Sequence, residues 1–147
     1  MSYRNLAIMT VLSFISMYIL MYAMVNVFSN VYPNINQTYM AALMTAPMVV
    51  IELLLMGSMY KNKTLNAVLL ALSAFVLALS WFAIRTQTAV GDVQFIKSMI
   101  PHHSGAILMC QNASLSDPEL KKLCASIVSG QQSEIDEMKA ILTRLQK

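Results

Sequence analysis

The chain holds two histidines, His102 and His103, set side by side in Met99-Ile-Pro-His-His-Ser-Gly-Ala-Ile-Leu-Met109. At helical spacing, the flanking methionines fall on the same side as the histidine pair. Imidazole nitrogen and thioether sulfur suit copper(I) or silver; zinc is a poorer match, and hard cations are poorer still. Other chemistries lack their parts. A zinc protease needs His-Glu-x-x-His, a ferritin-type oxidase needs Glu-x-x-His pairs, and haem attachment needs Cys-x-x-Cys-His. None of these is in the sequence. The residues therefore point to metal binding rather than catalysis, and no enzymatic activity is expected. A polar core layer that only fixes helical register is the alternative.

A second group lies far upstream. Met40, Met44, Met48, Glu52 and Met56 recur every four residues, with Pro47 among them. Ionisable groups inside bilayers are usually functional, so Glu52 with Met48 and Met56 forms a candidate intramembrane site. Methionine is also an adaptable packing residue, which is the competing explanation for the stripe.

The elements that must position these groups follow from an uneven distribution of charge. The chain is 57% hydrophobic and 12% charged, and seven of its ten Lys and Arg residues lie at or after Arg85. Residues 6–28, 39–60 and 65–84 form three apolar runs, each near the roughly 20 residues that cross a bilayer as a helix. A chain of 147 residues has too little polar sequence to wrap three such segments as a soluble core. The first run is too long for a signal-peptide core, and no small-x-small cleavage site follows it. Arg4, Lys61 and Lys63 share one side of the membrane, which the positive-inside rule makes cytoplasmic. Three crossings then place the segment after Arg85 outside, in a periplasm or at a cell surface. The expected division is a membrane region at 1–86 and an exported domain at 87–147.

Within the exported part, residues 92–113 and 118–145 read as two helices separated by Ser114-Leu-Ser-Asp-Pro118. Ser116 with Glu119 fits a capping box, and Pro118 suits a first helical position. The unit is an antiparallel hairpin with a pivot near Asp117. That pivot sets Cys110 and Cys124 level across the two helices, where an oxidising compartment permits a disulfide. A pair of small buried residues is one alternative, and Cys110 joining the metal site is another. The same register gives two seams of alternating three- and four-residue steps. One is Asp92, Phe95, Met99, His102, Ala106, Met109 and Ala113; the other runs from Leu120 through Cys124, Ile127, Gln131, Glu134, Met138 and Ile141 to Leu145. The histidines lie opposite Gln131 and within a turn of Glu134. Polar groups facing each other in a core are costly unless they pair or bind something. Pro101 removes the helical hydrogen bond to the Lys97 carbonyl and is expected to bend the helix beside the histidines. A hairpin this small usually needs a partner or a staple, so two copies are expected to complete a four-helix bundle.

The pattern Asp92-x-x-Phe95-x-x-x-Met99-Ile-Pro-His102-His103-x-x-Ala106-x-x-Met109, then Asp117-Pro-Glu-Leu-x-x-Leu123 and Gln131-x-x-Glu134-Ile-x-x-Met138, resembles the bacterial domain-of-unknown-function family number 305. The resemblance implies a ferritin-like helical bundle associated with copper and silver resistance. It also implies Met99, His102, His103, Met109, Glu134 and Met138 as metal ligands. The family usually has alanine at the positions of Cys110 and Cys124, and this paired departure favours a disulfide while leaving a modified metal site open.

The expected fold is thus all-α: three transmembrane helices followed by an exported hairpin that dimerises into a ferritin-like four-helix bundle. The expected function is sequestration of copper(I) or silver by a protein of the bacterial inner membrane whose C-terminal domain faces the periplasm. Its expected partners are the lipid bilayer, a second copy and other metal-resistance proteins, with no nucleic acid. Two alternatives stand beside it: a metal transporter or transport partner using the Met and Glu52 face, and a ligand-free oligomerisation module.

Overall fold

A computed structural model describes residues 3–147. Five α-helices carry almost all of them: α1 (Tyr3–Leu20), α2 (Ile35–Leu55), α3 (Lys63–Thr86), α4 (Asp92–Asn112) and α5 (Pro118–Leu145). Short 3₁₀ turns at Met21–Met24, Phe28–Asn30 and Gly57–Met59 fill parts of the connections. Tyr3–Met24, Ile35–Leu55 and Lys63–Thr86 are each long and apolar enough to cross a membrane. The helices divide into two compact units, residues 1–21 with 36–89 and residues 22–35 with 90–147.

In the first unit, buried Leu6, Val49, Leu53 and Tyr60 form a core, with Tyr3, Met56 and Leu69 against it. Polar latches tie the connections at its two ends. At one end, the Tyr3 hydroxyl donates to Asn66 Oδ1 at 2.8 Å, and the Asn66 amide donates to the Tyr60 carbonyl at 3.0 Å. At the other, Asn36 donates to Gln87 Oε1 at 3.0 Å and the Tyr39 hydroxyl to the Thr88 carbonyl at 2.8 Å. Small residues in these helices, Ala41, Thr45, Ala46 and Ser73, are buried. Thr45 returns its hydroxyl to the Ala41 carbonyl at 2.7 Å, so its donor is satisfied within its own helix.

The second unit is the hairpin of α4 and α5 with the first connection packed on it. Asp117 caps α5: its carboxylate accepts from the Leu120 amide at 2.8 Å, with Pro118 in the first turn. The cap is therefore Asp117 and not Ser116, because Pro118 needs no amide partner and the third helical amide is the one in reach. Cys110 and Cys124 are joined in a disulfide, their Cα atoms 5.2 Å apart. The loop it closes spans 14 residues, which in the chain-entropy model removes about 3 kcal/mol of unfolded-state freedom.

The hairpin core is Ile96, Ile100, Ile107, Ile135 and Leu142, with Val93, Val128, Met138 and Ile141 partly buried against it. The α4 seam read from the heptad steps lies one residue away from this face. One residue turns a helix by about 100°, so Phe95 and His102 are exposed where the following Ile96 and His103 are buried. Isoleucine fixes the phase, since its branched apolar side chain gains more from burial than the polar His102 or the adaptable methionines do.

The connection before α2 belongs with this unit through hydrogen bonds to α4. Pro101 lacks an amide proton, and the Lys97 carbonyl it leaves accepts instead from Asn34 Nδ2 at 3.3 Å. Gln94 Oε1 accepts from the Ile35 amide at 2.9 Å, while Ser104 Oγ accepts from the Asn26 amide at 2.8 Å and donates to the Asn26 side chain. Asn34, Ser104 and Asn30 are all buried.

Asn34→Ala should remove the donor from the part-buried Lys97 carbonyl, together with the bond to the Tyr32 carbonyl, and destabilise the protein by about 1 kcal/mol or more. Adding Pro101→Ala restores an amide donor, so the double variant should recover part of that loss. Thermal unfolding of the four proteins in one double-mutant cycle measures the coupling, and strictly additive effects would refute the pairing.

Candidate functional site

His102 and His103 stand on consecutive positions of α4 and meet opposite fates. His103 is buried and His102 is exposed. Their ring centroids are 6.1 Å apart, edge to face at 63°. The two do not converge as a chelating pair.

His103 is engaged at both ring nitrogens. Nδ1 lies 3.0 Å from the Met99 carbonyl oxygen, and Nε2 lies 2.7 Å from Glu134 Oε2 on α5. A carbonyl can only accept, so Nδ1 carries a proton. Nε2 and Oε2 lie within hydrogen-bond distance of each other, so both ring nitrogens of His103 are engaged by protein atoms. The Glu134 side chain is 58% exposed, which keeps the carboxylate hydrated as it bridges the helices.

The other residues in the expected ligand set are spread out. Met138 is packed against the hairpin core, Met109 is 53% exposed, and Met99 is half-buried. Met99 and His102 are three residues apart, a rise of about 4.5 Å that brings both within reach of one ion. Met109 lies a further seven residues along, about 10.5 Å from His102, too far to share that ion. Among the described residues, no three of His, Cys, Asp and Glu come together as a metal-binding group.

The upstream group is dispersed as well. Met40 and Met44 are exposed, Met48 is half-buried, and Met56 packs against the core of the first unit. Glu52 accepts from the Tyr60 hydroxyl at 3.0 Å. Burial pushes Tyr60 above its ordinary value of 10.0, and the hydrogen bond to Glu52 adds to the rise. Glu52 lies one turn from the end of α2, where a loop tyrosine reaches it.

The residues that sequence reasoning missed are Asn26, Asn30 and Asn34. Their four-residue spacing in an uncharged connection was a signal, as was the carbonyl that Pro101 leaves without a donor.

Fold and site together define an all-helical protein with three membrane-length helices and a disulfide-stapled hairpin whose α4 carries an adjacent histidine pair. Residues 78–142 match the model of a domain of unknown function, DUF305. "Uncharacterized protein L153" of Acanthamoeba polyphaga mimivirus is 37% identical over 110 residues, covering 73% of this chain and 70% of the relative. The chain belongs to this family. An alignment covering 73% of a 147-residue chain takes in residues 41–107 wherever it begins, so the likeness reaches through α3 and into α2. This relative is viral, whereas the sequence pattern resembled a bacterial family. No solved structure matches the chain.

The two histidines should separate in a stability measurement. His103→Ala is expected to cost about 1–3 kcal/mol, and His102→Ala to stay within about 0.5 kcal/mol of the parent. Glu134→Gln should be nearly neutral, because its amide can donate to Nε2 of a neutral imidazole. Urea unfolding of the detergent-solubilised chain tests all three. Equal losses at His102 and His103 would contradict the assignment.

Proposed function

We propose that this is a membrane-anchored soft-metal binding protein that sequesters copper(I) or silver at a face of α4 shared between two copies. The observation that carries the reading is the division of labour on that helix. His103 is held by Glu134 and the Met99 carbonyl, while His102 stays exposed within a turn of the Met99 thioether.

One chain supplies two donors, an imidazole and a thioether. A second copy related by a two-fold axis near His102 supplies the same two, giving a four-coordinate site of two nitrogens and two sulfurs. Soft, polarisable ligands in that number suit copper(I) and silver(I). Phe95 and Met109 extend the exposed stripe at seven-residue intervals on either side of His102, the spacing that packs helices lengthwise. The pairing completes a four-helix bundle around the ion. His103 and Glu134 then act as the polar layer behind the site, orienting α4 on α5. Positive-inside bias supports a hairpin across the membrane from Arg4, Lys61 and Lys63. Glu52, bonded to a loop tyrosine at the end of α2, supports a transport path less well.

A second reading keeps the shared face and drops the ion. It is favoured by the lack of any three-ligand cluster of His, Cys, Asp and Glu among the described residues, and makes the hairpin an association module.

Copper(I) titration of the purified chain should give one ion per two chains. His102→Ala should abolish that binding, and Met99→Leu should weaken it by at least the roughly 10- to 100-fold typical of a lost orienting partner. Undiminished copper(I) affinity in His102→Ala would overturn the metal reading. Pairing in detergent that persists unchanged without copper and in His102→Ala would favour the association module.

A further inference from the structure

We propose that the Cys110–Cys124 pair is a second soft-metal site, gated by its own oxidation: closed as a disulfide, and open when reduced as a two-coordinate thiolate site for copper(I) or silver(I). The proposal is independent of His102, which lies two turns earlier on α4.

Three observations carry it. First, the two cysteines come from facing helices with Cα atoms 5.2 Å apart. Once the sulfur–sulfur bond is gone, rotation about χ1 can part the sulfurs to the roughly 4.5 Å spanned by two metal–sulfur bonds of about 2.3 Å each. Second, the pair is reachable. Both cysteines are half-buried, and their neighbours Met109, Leu120 and Leu123 are exposed. Third, the helices do not depend on the staple to stay together. The core of Ile96, Ile100, Ile107, Ile135 and Leu142 lies on the far side of it from the turn, and the His103–Glu134 contact lies there too. Reduction therefore frees two thiols without dispersing them.

The ligand chemistry selects the guest. Two thiolates with no third His, Cys, Asp or Glu grouped with them among the described residues suit a linear, two-coordinate d¹⁰ cation; zinc prefers four ligands. Lys121 sits one turn before Cys124 on α5, where its charge would offset the single negative charge of a bis-thiolate copper(I) complex.

The chemistry balances with a dithiol reductant. Two electrons and two protons pass from the reductant to the Cys110–Cys124 bond, leaving two thiols and an oxidised reductant. Binding of one copper(I) then forms two metal–sulfur bonds and releases the two thiol protons.

The test uses the full chain in detergent, either air-oxidised or reduced with a dithiol and desalted under argon. Each form competes for copper(I) with a chromogenic chelator. The reduced form should retain one more copper(I) per chain than the oxidised form. The extra equivalent should vanish in the Cys110→Ser, Cys124→Ser double variant and persist in His102→Ala, which separates this site from the one on the exposed face of α4. Equal copper retention by the two forms would sink the proposal. So would an extra equivalent that survives removal of both cysteines, or a reduced chain that has lost its helical circular dichroism.

Discussion

The hydrogen bond from Asn34 to the Lys97 carbonyl is the constraint on which the C-terminal unit turns. Pro101 sits in the middle of α4 and cannot supply the amide that this carbonyl needs. In an isolated hairpin water would fill the place, and the helix would carry a bend with one solvated side. Here the first connection brings Asn34 to the carbonyl, Gln94 to the Ile35 amide and Asn26 to Ser104, so one side of α4 is closed by chain from far upstream. The opposite side meets α5 through isoleucines. What remains of the helix surface is a single stripe, and His102 is on it.

That partition gives the adjacent histidines their different roles. Helical geometry separates consecutive side chains by about 100°, so when Ile96, Ile100 and Ile107 face α5, His103 faces it with them and His102 does not. A buried imidazole needs partners for both nitrogens, and the Met99 carbonyl and Glu134 provide them. The polar layer and the metal ligand were rival readings of one dipeptide. The geometry gives His103 the contacts of the polar layer and leaves His102 exposed.

Much of the fold was legible because it rests on local signals. Three apolar runs gave three helices of membrane length, and the breaker with Pro118 gave the hairpin and hence the level pairing of Cys110 with Cys124. The phase of α4 was less legible. Its sequence carries two stripes one residue apart, one of Phe, Met and His and one of Ile, and heptad spacing alone does not rank them. Burial ranks them, because branched aliphatic side chains gain more from leaving water than a histidine does. The docking of residues 22–35 was not legible by periodicity at all. It depends on hydrogen bonds across more than sixty positions, such as Asn34 to Lys97 and Asn26 to Ser104, and its traces are the proline and the four-residue spacing of the asparagines.

The C-terminal unit is therefore discontinuous in sequence. A boundary at residue 87, or at residue 78 where the family match begins, cuts away Asn26, Asn30 and Asn34 while keeping the α4 groups they serve. Ser104 is fully buried in the intact chain, and the Lys97 carbonyl accepts from Asn34. An excised hairpin would expose the first and leave the second to water, and its Pro101 would be free to kink the helix beside His102. The stripe that presents His102 is thus defined by both segments of the discontinuous unit, and its position on α4 depends on residues 22–35 as much as on the helix that bears it.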